Sequence, residues 1–409
     1  MRLRLAILFG KLISFVSRTL KLGGGSAAPG LFALKIEPEL VEKLAGKIPR
    51  NIIITGTNGK TTTARILAHL AREAGLAVIR NHTGSNLERG IASALISSVH
   101  PGGVRTNFDL GIWELDEFAF NEVAPKIKPD LILFLNVSRD QLDRYGEVDK
   151  VVNRWCETLT KLDPKTIILI NPKLNKLKNY FKGQTKEFGK VKNIKANGLN
   201  STSFDLEVAN FKGKVSIPVP GNYNVQNAAA AITTAYYLNI PITPLNNFQP
   251  AFGRVEKLPF GYIFLIKNPA GATQVFETLA PQIGSKDRLL IALNDNLADG
   301  TDVSWIWDVN FELFQNSSRA DLSRVESRES RDLSLFASGS RAYDLAVRLK
   351  YAGFEPSSIE VESSLKKALK RSREGLKGRL FILPTYTAML ELQKILARQG
   401  LKKHYWQEV

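Results

Sequence analysis

Gly56-Thr57-Asn58-Gly59-Lys60-Thr61-Thr62-Thr63 follows the short β-branched run Asn51-Ile52-Ile53-Ile54 and leads into Ala64, Ile66, Leu67, Leu70 and Ala71 at helical spacing. A strand that runs through glycines into a helix is suited to hold phosphate. The glycines let the backbone wrap the oxygens, and the helix N-terminus offers aligned N–H groups. Lys60 is placed to neutralise β/γ oxygens and Thr61 to hold Mg2+. The plainer reading, a glycine turn with a threonine cap, is disfavoured by the strand and helix on either side. The stretch departs from the standard phosphate loop at Ile54, five positions before Gly59, where glycine is usual.

Outward from this loop, further apolar runs occur at 77–79, 110–113, 131–135 and 167–170, separated by helical stretches. Such alternation predicts a parallel sheet covered on both faces. Between 204 and 219 residues alternate around Lys212-Gly213, which predicts an antiparallel hairpin near the sheet edge. An alanine-rich helix is expected over 225–238, then a linker at Pro241 and Pro244. After Pro250 the α/β rhythm restarts, with strand-like runs at 262–266, 289–293, 333–336 and 380–383. A helical face at Ala342, Leu345, Ala346, Leu349 and Ala352 ends at Gly353. The polar stretch 315–332 reads as a solvated insertion. Three parts are expected: 1–45, an amphipathic helix with a glycine-rich lead-in at Gly23-Gly24-Gly25-Ser26; 46–243, the nucleotide domain; and 250–409, a second α/β domain.

Composition narrows the partners. The chain has 409 residues with 56 Lys+Arg against 39 Asp+Glu, a formal charge of +17 that suggests an anionic partner. The interleaved aromatics that would point to nucleic acid are missing from the basic stretch 315–332, and none is expected as a partner. The single cysteine, Cys156, excludes an intrachain disulfide and fits a reducing compartment. Residues 1–16 read basic and then apolar. Lys11 interrupts the apolar run, which argues against a signal peptide, and the run is too short to span a bilayer. An amphipathic helix is expected instead, packed on the body or resting on a membrane surface, with Lys11, Arg18 and Lys21 solvated. A cytoplasmic location follows, peripheral at the inner face of the membrane if that helix touches lipid.

The form G-T-N-G-K-T-T-T resembles the Mur ligase and folylpolyglutamate synthase superfamily, whose members join a carboxylate to an amine through an acyl phosphate. Other landmarks of that superfamily follow in order. Glu114, in Trp113-Glu114-Leu115-Asp116-Glu117, ends a strand where the family places a Mg2+-binding glutamate. Asn136-Val137-Ser138-Arg139-Asp140-Gln141-Leu142-Asp143 stands where these ligases carry Asp-His-Leu-Asp, with Gln141 replacing the histidine. Gly221-Asn222-Tyr223-Asn224-Val225-Gln226-Asn227 matches G-x-H-N-x-x-N with Tyr223 for histidine, and Gly253-Arg254 matches the family's Gly-Arg. The resemblance implies ATP as cofactor with Mg2+ on Thr61 and Glu114. It implies nucleotide contacts from Gly56, Thr57, Asn58, Gly59, Lys60, Thr61, Thr62, Asn224, Asn227 and Arg254, and catalytic charge neutralisation by Lys60 and Glu114. It also implies the fold class: α/β, a Mur ligase-type P-loop central domain with a parallel sheet, followed by a second Rossmann-like α/β domain.

The two missing histidines and the last domain narrow the resemblance. The stretches Lys267-Asn268-Pro269-Ala270-Gly271, 293–308, 338–344 and 383–390, with His82-Thr83-Gly84-Ser85-Asn86 and 139–146, are similar to the MurT family, the ligase subunits of lipid II isoglutaminyl synthases. That resemblance implies amidation of the α-carboxyl of D-glutamate in the lipid II stem peptide, with ammonia from a separate GatD-like glutaminase. The chain's own residues agree with an outside source. A glutaminase needs a Cys activated by His, whereas Cys156 lies on a helical stretch and the four histidines are scattered. The resemblance further implies that an aspartate of the last domain completes the partner's Cys-His pair, with Asp302 the choice and Asp308 the reserve. Asp302 could instead cap a turn after Gly300. Many members carry a four-cysteine zinc ribbon in the middle domain; 181–203 has no cysteine, so no zinc is expected. Two other readings stay open: a superfamily ligase with another acceptor, and a basic ATP-binding scaffold without turnover.

Overall fold

The computed structural model describes residues 1–19, 27–81, 85–99, 107–138, 148–250, 253–316 and 333–402. The expectations for 23–26, for His82-Thr83-Gly84, for 139–146 including Asp140, Gln141 and Asp143, and for 317–332 of the polar insertion lie outside the described residues.

Six strands form the first sheet: β1 (Arg50–Thr55), β2 (Val78–Arg80), β3 (Leu110–Leu115), β4 (Leu131–Phe134), β5 (Ile167–Ile170) and β6 (Gln184–Glu187). They run in the order β2-β3-β1-β4-β5-β6, all parallel. Alternation of side chains across the pleat divides the strands between two cores. Ile52, Ile54, Ile112 and Leu133 face the helices Lys60–Glu73 and Asn222–Tyr237. Ile53, Trp113, Leu115 and Phe134 face Glu88–Ser98, Ala119–Ile127 and Val148–Leu159. Each fully buried Ile or Leu contributes about 1.5–3 kcal/mol, so β1 is fixed from both sides. Its buried Asn51 is satisfied: the side-chain Oδ1 accepts from Trp113 Nε1 at 2.8 Å and Nδ2 donates to Ala45 O at 3.1 Å.

The expected hairpin is more than a hairpin, and its turn is elsewhere. β7 (Lys190–Asn197), β8 (Ser201–Val208) and β9 (Phe211–Ile217) form a separate antiparallel sheet, and Val208 pairs with Phe211 across a turn at Ala209-Asn210. Ala209 takes the left-handed conformation there, φ +48°. Gly213 lies within β9 instead, because the Phe211 ring rests over it; a Cβ on Gly213 would come 2.7 Å from Phe211 Cζ. Nor does the sheet extend the first one. Phe204, Leu206 and Ile217 pack on Ala228–Ala231 of the helix Asn222–Tyr237.

The second sheet contains β10 (Arg254–Leu258), β11 (Gly261–Phe264), β12 (Arg288–Ala292), β13 (Ser334–Ser338), β14 (Ile359–Val361) and β15 (Leu380–Pro384). Its order is β10-β11-β15-β12-β13-β14, with only the edge strand β10 antiparallel. Helices Pro269–Leu279 and Ala342–Tyr351 cover one face, Leu365–Arg373 and Tyr386–Arg398 the other. The α/β class and both sheets agree with the sequence. Ahead of the first sheet, helices Arg2–Thr19 and Ala28–Ile36 pair and lean on Glu88–Ser98. Lys11 is not solvated as expected. It is half-buried, and its Nζ donates to Val99 O.

Candidate active site

In open parallel sheets ligands gather beyond the carboxyl ends of the strands, where the chain direction of crossovers reverses. Here β1 ends in the phosphate loop, flanked by the ends of β3 and β4. Gly56 and Gly59 have φ +135° and +90°. A Cβ on Gly56 would sit 2.7 Å from Asn136 O, and one on Gly59 would sit 2.1 Å from Asn227 Oδ1. Both positions therefore need glycine on conformation and on space.

The loop is clipped to the end of β4. Thr57 N donates to Asn136 O at 3.0 Å, Asn58 N to Asn136 Oδ1 at 2.9 Å, and Asn136 Nδ2 returns a bond to Asn58 O at 2.9 Å. Ser138 N donates to Thr57 Oγ1 at 3.0 Å. Lys60, first residue of its helix, is buried; its Nζ donates to Gly56 O and to Thr57 O, and Glu117 Oε2 stands 3.8 Å away. Next to it Thr61 Oγ1 donates to Glu114 Oε2 at 2.7 Å. Thr62 is buried beneath the same helix turn.

Glu114 is the electrostatic centre. Burial pushes its carboxyl above the usual range, while the Thr61 hydrogen bond and the charges of Arg80, Lys60 and Arg254 pull it back. Burial likewise draws the Arg80 guanidinium down to about 10, against the pull of Glu114, which leaves it cationic at neutral pH. Asn81 holds the strand end in place: its Oδ1 accepts from Glu114 N and its Nδ2 donates to Glu114 O, both at 2.8 Å.

The helix Asn222–Tyr237 starts three residues before the expected 225, on Gly221 at φ +97°. This puts both asparagines on its first turns. Asn227 lies against Gly59, and its backbone O accepts from Thr63 Oγ1 at 3.4 Å. Asn224 Nδ2 is used within the chain, on Pro220 O at 2.7 Å. Tyr223 and Arg254 are electrostatically coupled, and burial shifts the tyrosine up and the arginine down. Arg254 begins β10 just before a bulge at Val255, a β-branched residue at φ +62°. Such a conformation is costly for valine, and bulges re-aim the neighbouring side chain.

A second set of strand ends meets the loop. Asn268, after β11, caps the helix Pro269–Leu279 by accepting from Gly271 N at 2.7 Å. It also exchanges hydrogen bonds with Asn58: Asn268 Nδ2 to Asn58 Oδ1 at 3.0 Å and Asn58 Nδ2 to Asn268 Oδ1 at 3.3 Å. Along the same edge, Asn294 N donates to Thr385 Oγ1 at 3.0 Å and its Oδ1 accepts from Ser340 N at 3.0 Å. Buried Asp299 accepts from Thr387 N at 2.8 Å. Burial raises its carboxyl, opposed by its bonds from Thr387.

Asp302 and Asp308 are exposed on the stretch after β12. Asp302 Oδ1 accepts from Ser304 N at 2.8 Å, a side-chain turn that leads into the short 3-10 helix Ser304–Asp308, in line with the turn alternative. Around that helix Trp307, Tyr343 and Tyr351 are exposed, the first and last in edge contact with centroids 5.5 Å apart. Cys156 is buried in the core on Val148–Leu159, and burial raises its thiol, so it is no nucleophile. Sequence reading named no role for Asn81, Glu117, Asn136, Asn268, Asn294, Asp299 or Thr387. All but Asn81 lie in quoted stretches, and Asn81 adjoins one, but their roles depend on partners distant in the chain.

Two families match the chain in tandem. Residues 54–235 match the Mur ligase middle domain and 265–389 the MurT ligase C-terminal domain. The lipid II isoglutaminyl synthase (glutamine-hydrolyzing) subunit MurT of Streptococcus pneumoniae is 29% identical, with 98% of each chain covered. Among solved structures, MurF from Acinetobacter baumannii has a TM-score of 0.70 at 18% identity, covering 91% of this chain and 81% of that one. Folylpolyglutamate synthase from Mycobacterium tuberculosis, complexed with ADP, has a TM-score of 0.65 at 15% identity, covering 89% and 93%. Both likenesses speak for the fold.

Proposed function

The chain belongs to the Mur ligase family, in its MurT branch, and from that premise we propose that it is the ligase subunit that amidates the α-carboxyl of D-glutamate in the stem peptide of lipid II. The observation that carries the proposal is the Lys60–Thr61–Glu114 cluster, tied through Asn58 and Asn268 to the C-terminal domain.

A carboxylate is a poor electrophile, so its oxygen first attacks the γ-phosphorus of ATP, giving an acyl phosphate and ADP. Ammonia then adds to the acyl carbon, phosphate leaves, and a proton is released as the amide forms. Both steps depend on positioning and charge more than on acid–base groups. Lys60 Nζ, now on the loop's own carbonyls, turns to the β/γ oxygens; the loop N–H groups and the start of Lys60–Glu73 hold them. Asn227 and Arg254 frame the nucleotide, the arginine offering charge to the transferred phosphoryl group. Asn224 supports that turn through Pro220.

The oxygens of Thr61 and Glu114, 2.7 Å apart, suit Mg2+, a hard ion that takes few protein ligands and completes its shell with phosphate and water. When bound, Mg2+ would neutralise the charge of the phosphoryl group.

With Cys156 buried, ammonia comes from elsewhere. The relative's name marks it as a subunit of a glutamine-hydrolysing enzyme, and the same is proposed here: a GatD-like glutaminase docks at the exposed aromatics around Trp307, where Asp302, with Asp308 in reserve, orients the partner's imidazole. The reaction belongs on the cytoplasmic side, where ATP meets the lipid-carried peptide.

The test supplies ATP, Mg2+, ammonium and lipid II and follows ADP and a substrate mass decrease of about one unit, as hydroxyl gives way to amine. No turnover with free ammonium would overturn the proposal. Asp302→Asn should abolish glutamine-driven amidation by the complex and spare the ammonium-driven reaction; equal loss of both would remove Asp302 from the partner's triad.

A further inference from the structure

The helix Arg2–Thr19 seats Ala6, Ile7 and Gly10 against the body and turns a stripe of other large apolar residues outward. Ala6 and Gly10 are buried, and a Cβ on Gly10 would lie 2.9 Å from Ile96 Cδ1. Leu5, Leu8, Leu12 and Phe15 are 51, 62, 56 and 69% exposed. Steps of three and four residues keep them on one stripe. Phe9 broadens the stripe through an edge contact with exposed Phe32, centroids 6.5 Å apart. Contiguous apolar surface of more than a few hundred Å2 is rare on a protein that meets only water. Lys11, which could have shielded it, is bent to the Val99 carbonyl.

Charge selects what covers the stripe. Residues 1–36 contain Arg2, Arg4, Lys11, Arg18, Lys21 and Lys35 and no Asp or Glu. The first acid, Glu37, is paired with Lys43 at 2.9 Å. Exposed Arg2 and Arg4 occupy the first turn, where the helix dipole is already positive. That arrangement is unfavourable in water and is compensated beside phosphate. A second copy would bring six further cations and no acid from this segment. Among the described residues no helix is long and apolar enough to cross a membrane, so the helix would lie on a bilayer.

We propose that Arg2–Thr19, with Leu31 and Phe32, seats in the interface of an anionic lipid bilayer. The apolar stripe enters the acyl boundary, while Arg2, Arg4 and Lys35 meet headgroup phosphates. The surface lies outside the ligase chemistry and stands on its own observations.

Flotation of the full chain with vesicles tests it. Binding is expected with phosphatidylglycerol as about a third of the lipid, at least tenfold weaker on phosphatidylcholine alone, and reduced by salt. Leu8→Glu with Leu12→Glu replaces exposed side chains, so the thermal midpoint should hold while vesicle binding falls tenfold or more, by about the loss of two inserted side chains. Ile194→Glu, which removes an exposed apolar side chain of β7, should bind as the unaltered chain does. Failure of the unaltered chain to bind anionic vesicles, equal binding to neutral ones, or full binding by the double variant would overturn the proposal. So would a concentration-dependent dimer that Leu12→Glu dissolves in a chain that ignores lipid. Ammonium-driven amidation of a water-soluble short-chain lipid II analogue should be unchanged in the double variant, which keeps this test separate from that of the ligase reading.

Discussion

The two strand-end clusters that meet at Asn58 and Asn268 are built on opposite plans. At the first sheet, Lys60, Thr62, Glu114 and Asn227 are buried, and the loop is held by reciprocal bonds to Asn136. At the second, Asn294, Asp299 and Thr385 are buried and Thr387 bonds to the Asp299 carboxylate, but the chain beyond them presents Trp307, Tyr343, Tyr351, Asp302 and Asp308 to solvent. One cluster is closed by its own chain; the other offers groups that remain exposed among the described residues. A nucleotide-handling site gains from rigidity, because preorganised charge needs no rearrangement during phosphoryl transfer. A docking surface has to remain open until its partner arrives.

The contrast can be broken most forcefully at Lys60. Lys60→Met should lower ATP-dependent amidation by about 10^3 or more while the thermal midpoint stays near that of the unaltered chain, since charge and not packing is removed. Turnover within tenfold of normal would show that the closed cluster is not the phosphate site. At the open end, Trp307→Ala is expected to weaken glutaminase binding by at least about thirtyfold, the effect of an aromatic anchor, with ammonium-driven turnover unchanged. A fall in ammonium-driven turnover would mean that the two clusters are one.

A third variant probes the edge opposite both sites, where Asp287 precedes β12. Burial raises its carboxyl, but hydrogen bonds from Arg379, Gly284 N and Arg379 N outweigh this and hold it below the usual range. The folded form therefore binds the proton less readily than the unfolded one. Its stabilisation is present above the unfolded value of about 3.9 and is lost as pH falls through the folded value. Asp287→Asn should cost about 1–3 kcal/mol at neutral pH by denaturant titration, with the difference narrowing below about pH 4 and ammonium-driven turnover preserved. The smallest change is expected at the seam. Asn268→Ala removes two amide bonds to Asn58 and should raise the KM for ATP about threefold, with little change in kcat.

The first sheet was readable because β-branched runs and helical spacing are local signals, and because Gly56 and Gly59 occupy conformations that favour glycine. Phosphate-loop residues are consecutive, so the motif is legible without the fold. Asn81, Asn136 and Asn268 were not assigned roles because an asparagine acquires one only from the backbone it meets, which is set by crossovers tens of residues long. The turn at Ala209 is hidden in the sequence for a related reason: Gly213 reads as the turn residue, yet it serves the ring of Phe211. At the N-terminus the helix itself was legible, whereas the inward bend of Lys11 required Val99 to be in place.

The small sheet β7-β8-β9 lies against the same core as the helix that carries Asn224 and Asn227. Its strands are joined by backbone pairing and seated by Phe204, Leu206 and Ile217, and 181–217 contains no cysteine. A module of this kind owes nothing to the cell's zinc supply and presents no thiolate to peroxide. The proposed nucleotide site it braces should therefore keep its shape through metal starvation or oxidative stress, conditions that would strip or oxidise a cysteine-ligated ribbon.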